Sequence, residues 1–452
     1  MGRQFVTAPY LLTLDPASEM QILWIQRTAG SGFVEYGDSQ LLGKRVHAVC
    51  YELKGLRGKP MRGVYTENPE DYEPIQLWQC IARIEGLKAG EQVYYRCHSR
   101  DECTKIYDFH TAPDAGEDYA FAQISDLQGV NPCDQSVYQI GCSHPDFLLY
   151  SGDTTFFSWR GDQWFDLSEP WQDPQSRKRA FFPCMQQENG ARLMQYCPTF
   201  ICPGNHELDD LRVGISKSWA VQDDRWSWSI YMQMFRPLYP EMDAGLHGKR
   251  WYSADYSDMH ITSLHIQRWT RWEAYEAPGW RLVDPIGPGS PQLQWLEEDL
   301  AQTEKKYRWV IHHWHLLNKG TDTQVPLCQP VVDGEGNVSY PEDWGILLMD
   351  LYEKYGVNAV SYGHSHVYER YFERGTHYIE AAYLGCCYRG KIAPLHPLGV
   401  VPLVEDNSRQ SFLLIRHTQK GLFATGYYVS EKPIEFDRYQ IADASGCSVA
   451  PV

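Results

Sequence analysis

Short runs of alternating apolar and polar residues dominate the first 113 residues of this 452-residue chain. Such alternation is typical of strands that have one buried face and one exposed face. The predicted strands lie at residues 20–25, 33–36, 78–84, 93–97 and 106–109. Turn residues, such as those at 86–90, separate the strands, and this spacing is typical of a small β-sandwich. We therefore predict an all-β domain over residues 1–113 and a linker over residues 114–118.

The pattern changes at residue 119. Short apolar runs, typical of buried strands, lie at residues 121–125, 147–150, 199–202, 309–311 and 357–361. Helices are predicted between some of them. Ser290 and Pro291 suit the start of one helix, and Gly356 suits the end of another helix over residues 341–355. Alternating strands and helices indicate an α/β domain, which we place at residues 119–440.

Polar residues that can bind metals follow each of these buried strands. In chain order they are Asp126 and Gln128; Asp153; Asn205, His206 and Glu207; the histidines of the 312–315 segment; and His364 and His366. Sites in α/β sheets lie at the carboxyl ends of the strands, so these side chains are expected to meet. Carboxylate, amide oxygen and imidazole are ligands for divalent cations such as Mn, Fe or Zn. The sequence therefore predicts a metal site at one edge of the sheet.

The order of these motifs closely resembles that of the calcineurin-like metallophosphoesterases. The motifs are Asp126, Gly152-Asp153, Gly204-Asn205-His206-Glu207, Val310-x-x-His313 and Gly363-His364-x-His366. Residues 20–24, 34–37 and 86–96 also resemble the fibronectin-type-III-like domain that precedes the catalytic domain of purple acid phosphatases. The resemblance covers about residues 8–440. It implies a multidomain protein with an all-β N-terminal sandwich and a four-layer αββα catalytic domain.

The resemblance also implies a centre of two divalent or trivalent metal ions (Fe, Mn, Zn or similar). The first ion would be held by Asp126 and His366, the second by Asn205, His364 and one histidine of the 312–315 cluster, and Asp153 would bridge the two. Hydroxide between the metals would attack phosphorus. His206 would protonate the leaving group or bind phosphate, and Glu207 would orient His206.

This chain departs from the family pattern at two positions. Purple acid phosphatases have an iron-binding tyrosine three residues after the bridging aspartate, where this chain has Phe156. We therefore expect no tyrosinate–iron colour. Many other members have a histidine where this chain has Gln128. Gln128 either completes the first metal site through its carbonyl oxygen or only forms hydrogen bonds nearby.

The fourth motif leaves two histidines as alternatives. The spacing Val310-x-x-His313 favours His313, whereas counting six residues from Trp309 points to His315. Both residues lie on the same face of the strand, so alternation does not decide between them. Of the two, we favour His313 as the ligand.

Composition limits the partners and the compartment. The formal charge is 41 − 58 = −17, which argues against a nucleic-acid-binding protein. No apolar run approaches the roughly 18–20 residues that a membrane span needs. The first residues do not resemble a secretory signal, and the 13 cysteines show no zinc-finger spacing. We expect reduced thiols and a cytoplasmic protein, with a mature secreted form as the alternative.

The leading hypothesis is a two-metal hydrolase of small phosphorylated substrates, either phosphate monoesters or diesters. A second hypothesis is a phosphodiesterase or pyrophosphohydrolase acting on nucleotides or lipid head groups, and a third is an inactive binding module. Aromatic residues are 14% of the chain and cluster at residues 156–171, 226–231 and 269–280. Their side chains either wall the site or pack between loops, and Arg160, Arg268 and Arg271 are candidate phosphate partners. The sequence gives no indication of the oligomeric state.

Overall fold

A computed structural model describes residues 4–62, 69–128, 133–165, 180–186, 192–207, 227–240, 249–266, 286–317, 331–332, 338–339, 344–380, 384 and 399–451. The strands and helices predicted within these residues are confirmed, with shifts of a few residues at their ends. The structure adds strands that the sequence pattern did not predict, in the N-terminal region as well as later in the chain, and four of them lie after residue 400.

The N-terminal region consists of short strands. They are β1 (Tyr10–Leu12), β2 (Glu19–Gln26), β3 (Gly32–Gly37), β4 (Lys44–His47), β5 (Val49–Leu53), β6 (Arg57–Pro60), β7 (Tyr72–Pro74), β8 (Leu77–Glu85), β9 (Gln92–Ser99), β10 (Glu102–Cys103) and β11 (Tyr107–His110). One antiparallel sheet has the order β1-β2-β8-β5, and a second has the order β10-β9-β3-β4 with β11 also paired to β9. Strands β6 and β7 form a separate hairpin.

The two N-terminal sheets pack face to face around their own core. Ile22 and Trp24 of β2 lie in this core with Val34 of β3. The alternate residues of β2, Leu23 and Ile25, lie in a different core that extends into the rest of the protein. Strand β2 is therefore buried on both faces, which explains why its sequence Ile-Leu-Trp-Ile is an unbroken apolar run.

The remaining elements form two larger sheets with helices. The strands are β12 (Tyr119–Ile124), β13 (Phe147–Tyr150), β14 (Thr199–Ile201), β15 (Tyr252–Tyr256), β16 (Met259–Ser263), β17 (Tyr307–Ile311), β18 (Val331–Val332), β19 (Val338–Ser339), β20 (Ala359–Tyr362), β21 (Tyr368–Glu373), β22 (Thr376–Glu380), β23 (Val404–Asp406), β24 (Ser411–Thr418), β25 (Gly421–Tyr428) and β26 (Ile434–Asp443). The helices are α1 (Asp134–Cys142), α2 (Gly161–Trp164), α3 (Phe181–Met185), α4 (Leu193–Tyr196), α5 (Ser227–Met234), α6 (Pro291–Gln302) and α7 (Trp344–Lys354), with short 3-10 turns at Pro69–Asp71 and Arg236–Leu238.

The helix signals in the sequence act as expected. The Ser290 side chain accepts a hydrogen bond from the Leu293 amide at 3.2 Å and so caps α6. Gly356 follows α7 with φ of 62°, the left-handed conformation that commonly ends a helix. The predicted start of α7, at residues 341–343, lies outside the described residues.

The site-bearing strands belong to two sheets. One has the order β14-β13-β12-β24-β25-β26 and the other β15-β16-β17-β20-β22-β21-β23. Strands β12, β13 and β14 are parallel to each other, as are β16, β17, β20 and β22. The carboxyl ends of parallel neighbours lie at the same edge of their sheet, which brings the strand-end motifs of each sheet together.

The two sheets pack on each other, and helices α6 and α7 pack on the far face of the second sheet. The Phe121 ring of β12 meets the Trp309 ring of β17 edge-on, with the ring centres 5.1 Å apart. On the far side of the second sheet, Leu296 of α6 and Leu348 of α7 share a core with Val360 of β20. Strand β24 inserts beside β12, with Tyr119 opposite His417.

The N-terminal sheets are joined to the second region by hydrogen bonds. The Tyr10 hydroxyl donates to the Met234 carbonyl at 2.9 Å, and the Tyr95 hydroxyl donates to the Gln195 carbonyl at 2.6 Å. Tyr10 and Tyr95 belong to the N-terminal strands, whereas Met234 and Gln195 belong to helices of the second region. These hydrogen bonds therefore cross an interface between the two regions.

Two further findings concern the cysteines and the lengths of the helices. Cys50 and Cys80 form a disulfide between β5 and β8, so the expectation of reduced thiols does not hold for this pair. In the described part of the chain, every helix is too short or too polar to cross a membrane.

Candidate metal centre

The five strand-end motifs meet at the facing edges of the two sheets. Asp126 follows β12, Asp153 follows β13, Asn205 follows β14, His313 follows β17 and His364 follows β20. Each of these side chains is at least nine-tenths buried. The convergence that the sequence predicted is therefore present.

Four of the side chains point donor atoms at one another. The Nε2 atom of His313 lies 3.1 Å from Asn205 Oδ1 and 3.2 Å from Asp153 Oδ2. The Nδ1 atom of His364 lies 2.6 Å from Asn205 Oδ1. Ligand atoms of Asp153, His313 and His364 all lie within 4.8 Å of one another.

This donor set fits a divalent cation. The Nδ1 atom of His313 lies 2.7 Å from the Ser151 carbonyl, to which it donates. That bond leaves the Nε2 lone pair directed at two oxygen atoms, which repel it unless a proton or a cation lies between them. Ligands about 2.1 Å from one ion and at right angles to each other lie about 3.0 Å apart, close to the separations observed.

A second group of side chains also contacts Asp153. The Nε2 atom of His366 lies 3.3 Å from Asp126 Oδ1 and 3.2 Å from the Gln128 side-chain nitrogen. That nitrogen also donates to Asp153 Oδ2 at 2.9 Å. The Asp153 carboxylate therefore touches both groups, as a bridging ligand must.

In this arrangement Gln128 presents its amide nitrogen to the centre. The contact with Asp153 corresponds to the alternative in which Gln128 forms hydrogen bonds nearby. A half-turn of the terminal amide would exchange nitrogen and oxygen at the same place and present the carbonyl oxygen instead. The position of Gln128 is thus compatible with both roles.

Several residues of the centre have a backbone conformation that residues other than glycine rarely adopt. Asp126, Gln128, Asp153, His364 and His366 have φ between 52° and 86°, and they are five of the eleven such non-glycine residues in the described part of the chain. Left-handed backbone of this kind is unfavourable and persists where surrounding contacts enforce it, often at functional sites.

Two glycines allow the loops to approach each other. A Cβ atom on Gly204 would overlap the carboxylate of Asp153, and one on Gly363 would overlap the carboxylate of Asp126. The glycine that precedes Asn205 and the glycine that precedes His364 are therefore required by close packing against the neighbouring carboxylates.

The electrostatics of the centre couple Asp153 to its histidines. Burial opposes ionisation of Asp153, but His313 and His206 hold its pKa well below the ordinary value. Burial would lower the pKa of His313, but Asp153 raises it to about 9. Burial, with His313 and His315 nearby, lowers the pKa of His364 well below its ordinary value. A metal ion would compete with the proton on His313 for the same lone pair.

His206 lies beside the centre without joining the donor set. Its Nδ1 atom lies 3.0 Å from the Phe156 carbonyl, and its ring packs on the Phe156 ring with centres 4.5 Å apart. Its Nε2 atom lies 3.8 Å from Asp153 Oδ2. The Phe156 carbonyl thus orients the ring and directs Nε2 toward the carboxylate.

Glu207 has partners other than the His206 ring. Its carboxylate accepts hydrogen bonds from the Asp153 amide at 2.9 Å, the Thr154 amide and hydroxyl at 2.7 Å each, and the Gly204 amide at 2.6 Å. Burial and the nearby Asp153 raise the pKa of Glu207 to about 7. Glu207 therefore links the loop of Asp153 to the loop of Asn205 by hydrogen bonds. It positions His206 through the backbone of the second loop.

His315 also lies near the donor set. Its ring centre is 5.4 Å from that of His364, compared with 5.2 Å for the ring centre of His313. His313 contributes the nitrogen that lies 3.1 Å from Asn205 Oδ1 and 3.2 Å from Asp153 Oδ2. These contacts favour His313, and its role as the ligand stays a prediction.

Most of the described loop aromatics are packing residues. Trp159 and Trp164 are fully buried, and Phe157 is 8% exposed. Phe156 is half-buried against His206. Arg160 forms an ion pair with Asp162 at 2.6 Å. This contact gives Arg160 a structural partner and does not support a role in phosphate binding. Trp171, Trp226, the 269–280 stretch, Arg268 and Arg271 lie outside the described residues.

Sequence reasoning missed several groups that hold the site. They are the Ser151 and Phe156 carbonyls and Glu380, which accepts from the Ser365 amide at 2.7 Å. Backbone carbonyls carry no signal in a sequence. Glu380 lies in β22, and a single acidic residue in a strand gives no indication of a partner 15 residues away.

Comparison with known proteins extends this picture. A family model for calcineurin-like phosphoesterases matches residues 119–368, which is 250 of the 452 residues. Purple acid phosphatase 15 of Arabidopsis thaliana is 23% identical over 302 residues, which cover 64% of this chain and 48% of that protein. Acid phosphatase type 7 of Danio rerio is 23% identical over 367 residues, which cover 78% of this chain and 68% of that protein. The chain thus spans about half the length of the Arabidopsis relative.

A solved structure shares the fold over nearly the whole chain. Purple acid phosphatase PPD1 from yellow lupin (Lupinus luteus) seeds aligns with a TM-score of 0.64 at 16% identity, covering 98% of this chain and 77% of that one. The alignment includes the β-rich N-terminal region, so the arrangement of both regions has a known counterpart.

Proposed function

Because the chain belongs to the calcineurin-like phosphoesterase family, we propose that it is a metal-dependent hydrolase of small phosphate esters. One observation carries the proposal: the carboxylate of Asp153 touches two groups of buried donor atoms at the meeting edges of the sheets. The donor groups are of the type and spacing that a pair of divalent cations requires.

The two groups suggest how two ions would be held. Asp126, His366 and Gln128 would hold one ion, while Asn205, His313 and His364 would hold the other, with Asp153 shared between them. When bound, such ions supply Lewis acidity, which polarises phosphoryl oxygens and activates water for attack on phosphorus. The Phe156 side chain has no oxygen with which to ligate iron, so we expect the metal-loaded protein to lack an intense visible band.

The protein's own side chains divide the remaining work. His206 keeps its Nδ1 proton on the Phe156 carbonyl, so only Nε2 is available to the substrate. With a proton on Nε2, His206 can donate it to the leaving oxygen or hold a phosphoryl oxygen. Glu207 keeps the Asp153 and Asn205 loops together, so the donors and His206 stay in register.

The finer description of the fold is also part of the proposal. The two face-to-face antiparallel sheets support a fibronectin-type-III-like domain over residues 1–113, joined by a linker at 114–118. The packed six- and seven-stranded sheets with outer helices support a four-layer αββα domain from residue 119. From the sequence we place the end of this domain at residue 440; strand β26 runs on to Asp443, which favours a slightly later end.

An assay of metal-loaded protein tests the function. Wild-type protein loaded with Mn, Fe or Zn would be tested against a phosphate monoester, a phosphate diester and pyrophosphate, with metal content measured in parallel. Asp153→Asn should abolish hydrolysis and leave the fold intact. Asp258→Asn is the matched control, because Asp258 is a buried carboxylate that bonds Tyr119 away from the centre.

The outcomes separate the hypotheses. Preference for the diester or pyrophosphate would favour the second hypothesis over a monoesterase. If the loaded protein hydrolyses no substrate and Asp153→Asn changes neither metal content nor activity, the enzymatic hypothesis is wrong and a binding module remains.

A further inference from the structure

Two buried cysteines meet in the second region. Cys133 precedes α1, and Cys184 lies within α3. Neither is exposed to solvent, and their sulfur atoms are 2.9 Å apart. Even carbon atoms, which are smaller, make their best non-bonded contact at roughly 3.5–4.0 Å. The two sulfurs are therefore closer than unbonded atoms normally lie.

The backbones that carry these cysteines are already fixed. The Cys133 carbonyl accepts a hydrogen bond from the Val137 amide at 3.0 Å, and the Cys184 amide donates to the Ala180 carbonyl at 3.1 Å. A sulfur–sulfur bond is about 2.05 Å long. Bond formation therefore requires the two sulfur atoms to approach each other by less than about 1 Å.

We propose that Cys133 and Cys184 are a site of disulfide formation that ties the start of α1 to α3. In this structure the pair is in the dithiol form, with the Cys133 thiol donating to Cys184 Sγ, and Cys97, Cys197 and Cys202 are also buried thiols. The proposal does not depend on the phosphoesterase function.

A bond between Cys133 and Cys184 would enclose part of the metal centre in a covalent loop. Cys133 lies five residues after Gln128, and the segment from Cys133 to Cys184 contains β13 and Asp153. A bond between the two ends would close this segment into a loop. Asp153, which follows β13, would then lie within a covalently closed loop that begins five residues after Gln128.

The chemistry is thiol–disulfide exchange with a small disulfide such as oxidised glutathione. One cysteine thiolate attacks the donor and forms a mixed disulfide, which releases one small thiol. The second cysteine then attacks the mixed disulfide, which forms the Cys133–Cys184 bond and releases the second small thiol. The protein loses two protons and two electrons, and the donor gains them.

The bond should form before the site is buried. Burial and the neighbouring Cys184 raise the pKa of the Cys133 thiol well above its ordinary value, so the folded protein contains little of the reactive thiolate. Exchange is accordingly expected during folding, and the finished bond should resist reductants that do not unfold the protein.

Mass spectrometry of refolded full-length protein tests the proposal. Reduced protein would be refolded with a mixture of reduced and oxidised glutathione, denatured, alkylated and digested without reductant. We expect a cross-linked peptide pair containing Cys133 and Cys184, two hydrogens lighter than the separate thiol peptides. Cys50 and Cys80 provide a second cross-link for comparison, and Cys197 should be alkylated. Alkylation of both Cys133 and Cys184 would overturn the proposal.

A thermal double-mutant cycle gives an independent readout. In oxidised protein, Cys133→Ala, Cys184→Ala and the double variant should lower Tm by similar amounts, roughly 5 °C, because each removes the same bond. Cys133→Ala combined with Cys197→Ala should instead show additive shifts, since Cys197 is a buried free thiol. Additive shifts for Cys133 and Cys184 would contradict the bond.

Discussion

The loop that carries Phe156 rests on the N-terminal region, and this contact predicts that a distant tyrosine affects catalysis. The Tyr72 ring of β7 meets the Trp159 ring edge-on, with centres 4.9 Å apart. The neighbouring Arg57 amide donates to the Trp159 carbonyl at 2.8 Å. Trp159 lies three residues after Phe156, whose carbonyl orients His206. Replacing Tyr72 with leucine should therefore loosen the support of His206.

The expected size follows from burial and the aromatic contact. Tyr72 is 2% exposed, and the edge-on pair is worth about 1 kcal/mol beyond area burial. The ring volume that leucine leaves unfilled adds about 1–2 kcal/mol. If misplacement of His206 raises the activation free energy by about 1.4 kcal/mol of this total, kcat falls about tenfold.

Steady-state kinetics with two monoesters give the assay. A weaker contribution from His206 should reduce kcat more for phenyl phosphate, whose leaving group needs a proton, than for p-nitrophenyl phosphate, whose leaving group does not. Metal content should remain unchanged. The Tyr72→Phe variant keeps the aromatic ring and should retain most of the wild-type activity.

Tyr95→Leu is the matched control. Tyr95 is also a fully buried tyrosine of the N-terminal region, and it contacts the second region at Gln195 rather than at the Phe156 loop. It should lose comparable stability with little change in the ratio of the two substrates. Equal ratios in the Tyr72 and Tyr95 variants would refute the reasoning.

Three further predictions follow from other contacts. His206→Ala should lower turnover by about 10²–10⁴ if the imidazole donates a proton, with unchanged metal content; loss of metal would contradict its assigned role. Gly204→Ala should reduce metal content, measured by elemental analysis, because a Cβ atom there would overlap Asp153, whereas Gly43→Ala adds a Cβ with nothing within 4 Å and should have no effect. Burial opposes protonation of His260, but Asp255 and Asp299 raise its pKa to about 9. The resulting stability is fully present below the unfolded pKa of about 6.5 and lost as pH rises through about 9, so urea unfolding should show a difference of about 3 kcal/mol across that window that His260→Gln abolishes.

Much of the fold follows from local patterns. The apolar run of β2, the alternating residues of β9 and the cap at Ser290 are properties of neighbouring residues, so periodicity and capping rules locate them. Strands β24 to β26 escaped prediction because they carry no motif. The pairing of β24 with β12 joins residues about 300 apart in the chain, and no local pattern reports such a partner.

The sequence by itself determined where the strands end and which metal-binding residue types follow each strand. Only the tertiary structure decided which of those side chains meet. His313 and His315 share a strand face, yet His313 is the one that touches Asp153 and Asn205. Glu207 contacts the backbone of two loops rather than the His206 ring, and Trp159 fills an interface with the N-terminal region. Spacing along a chain sets direction within one strand, whereas contact between loops from different strands depends on how the sheets pack.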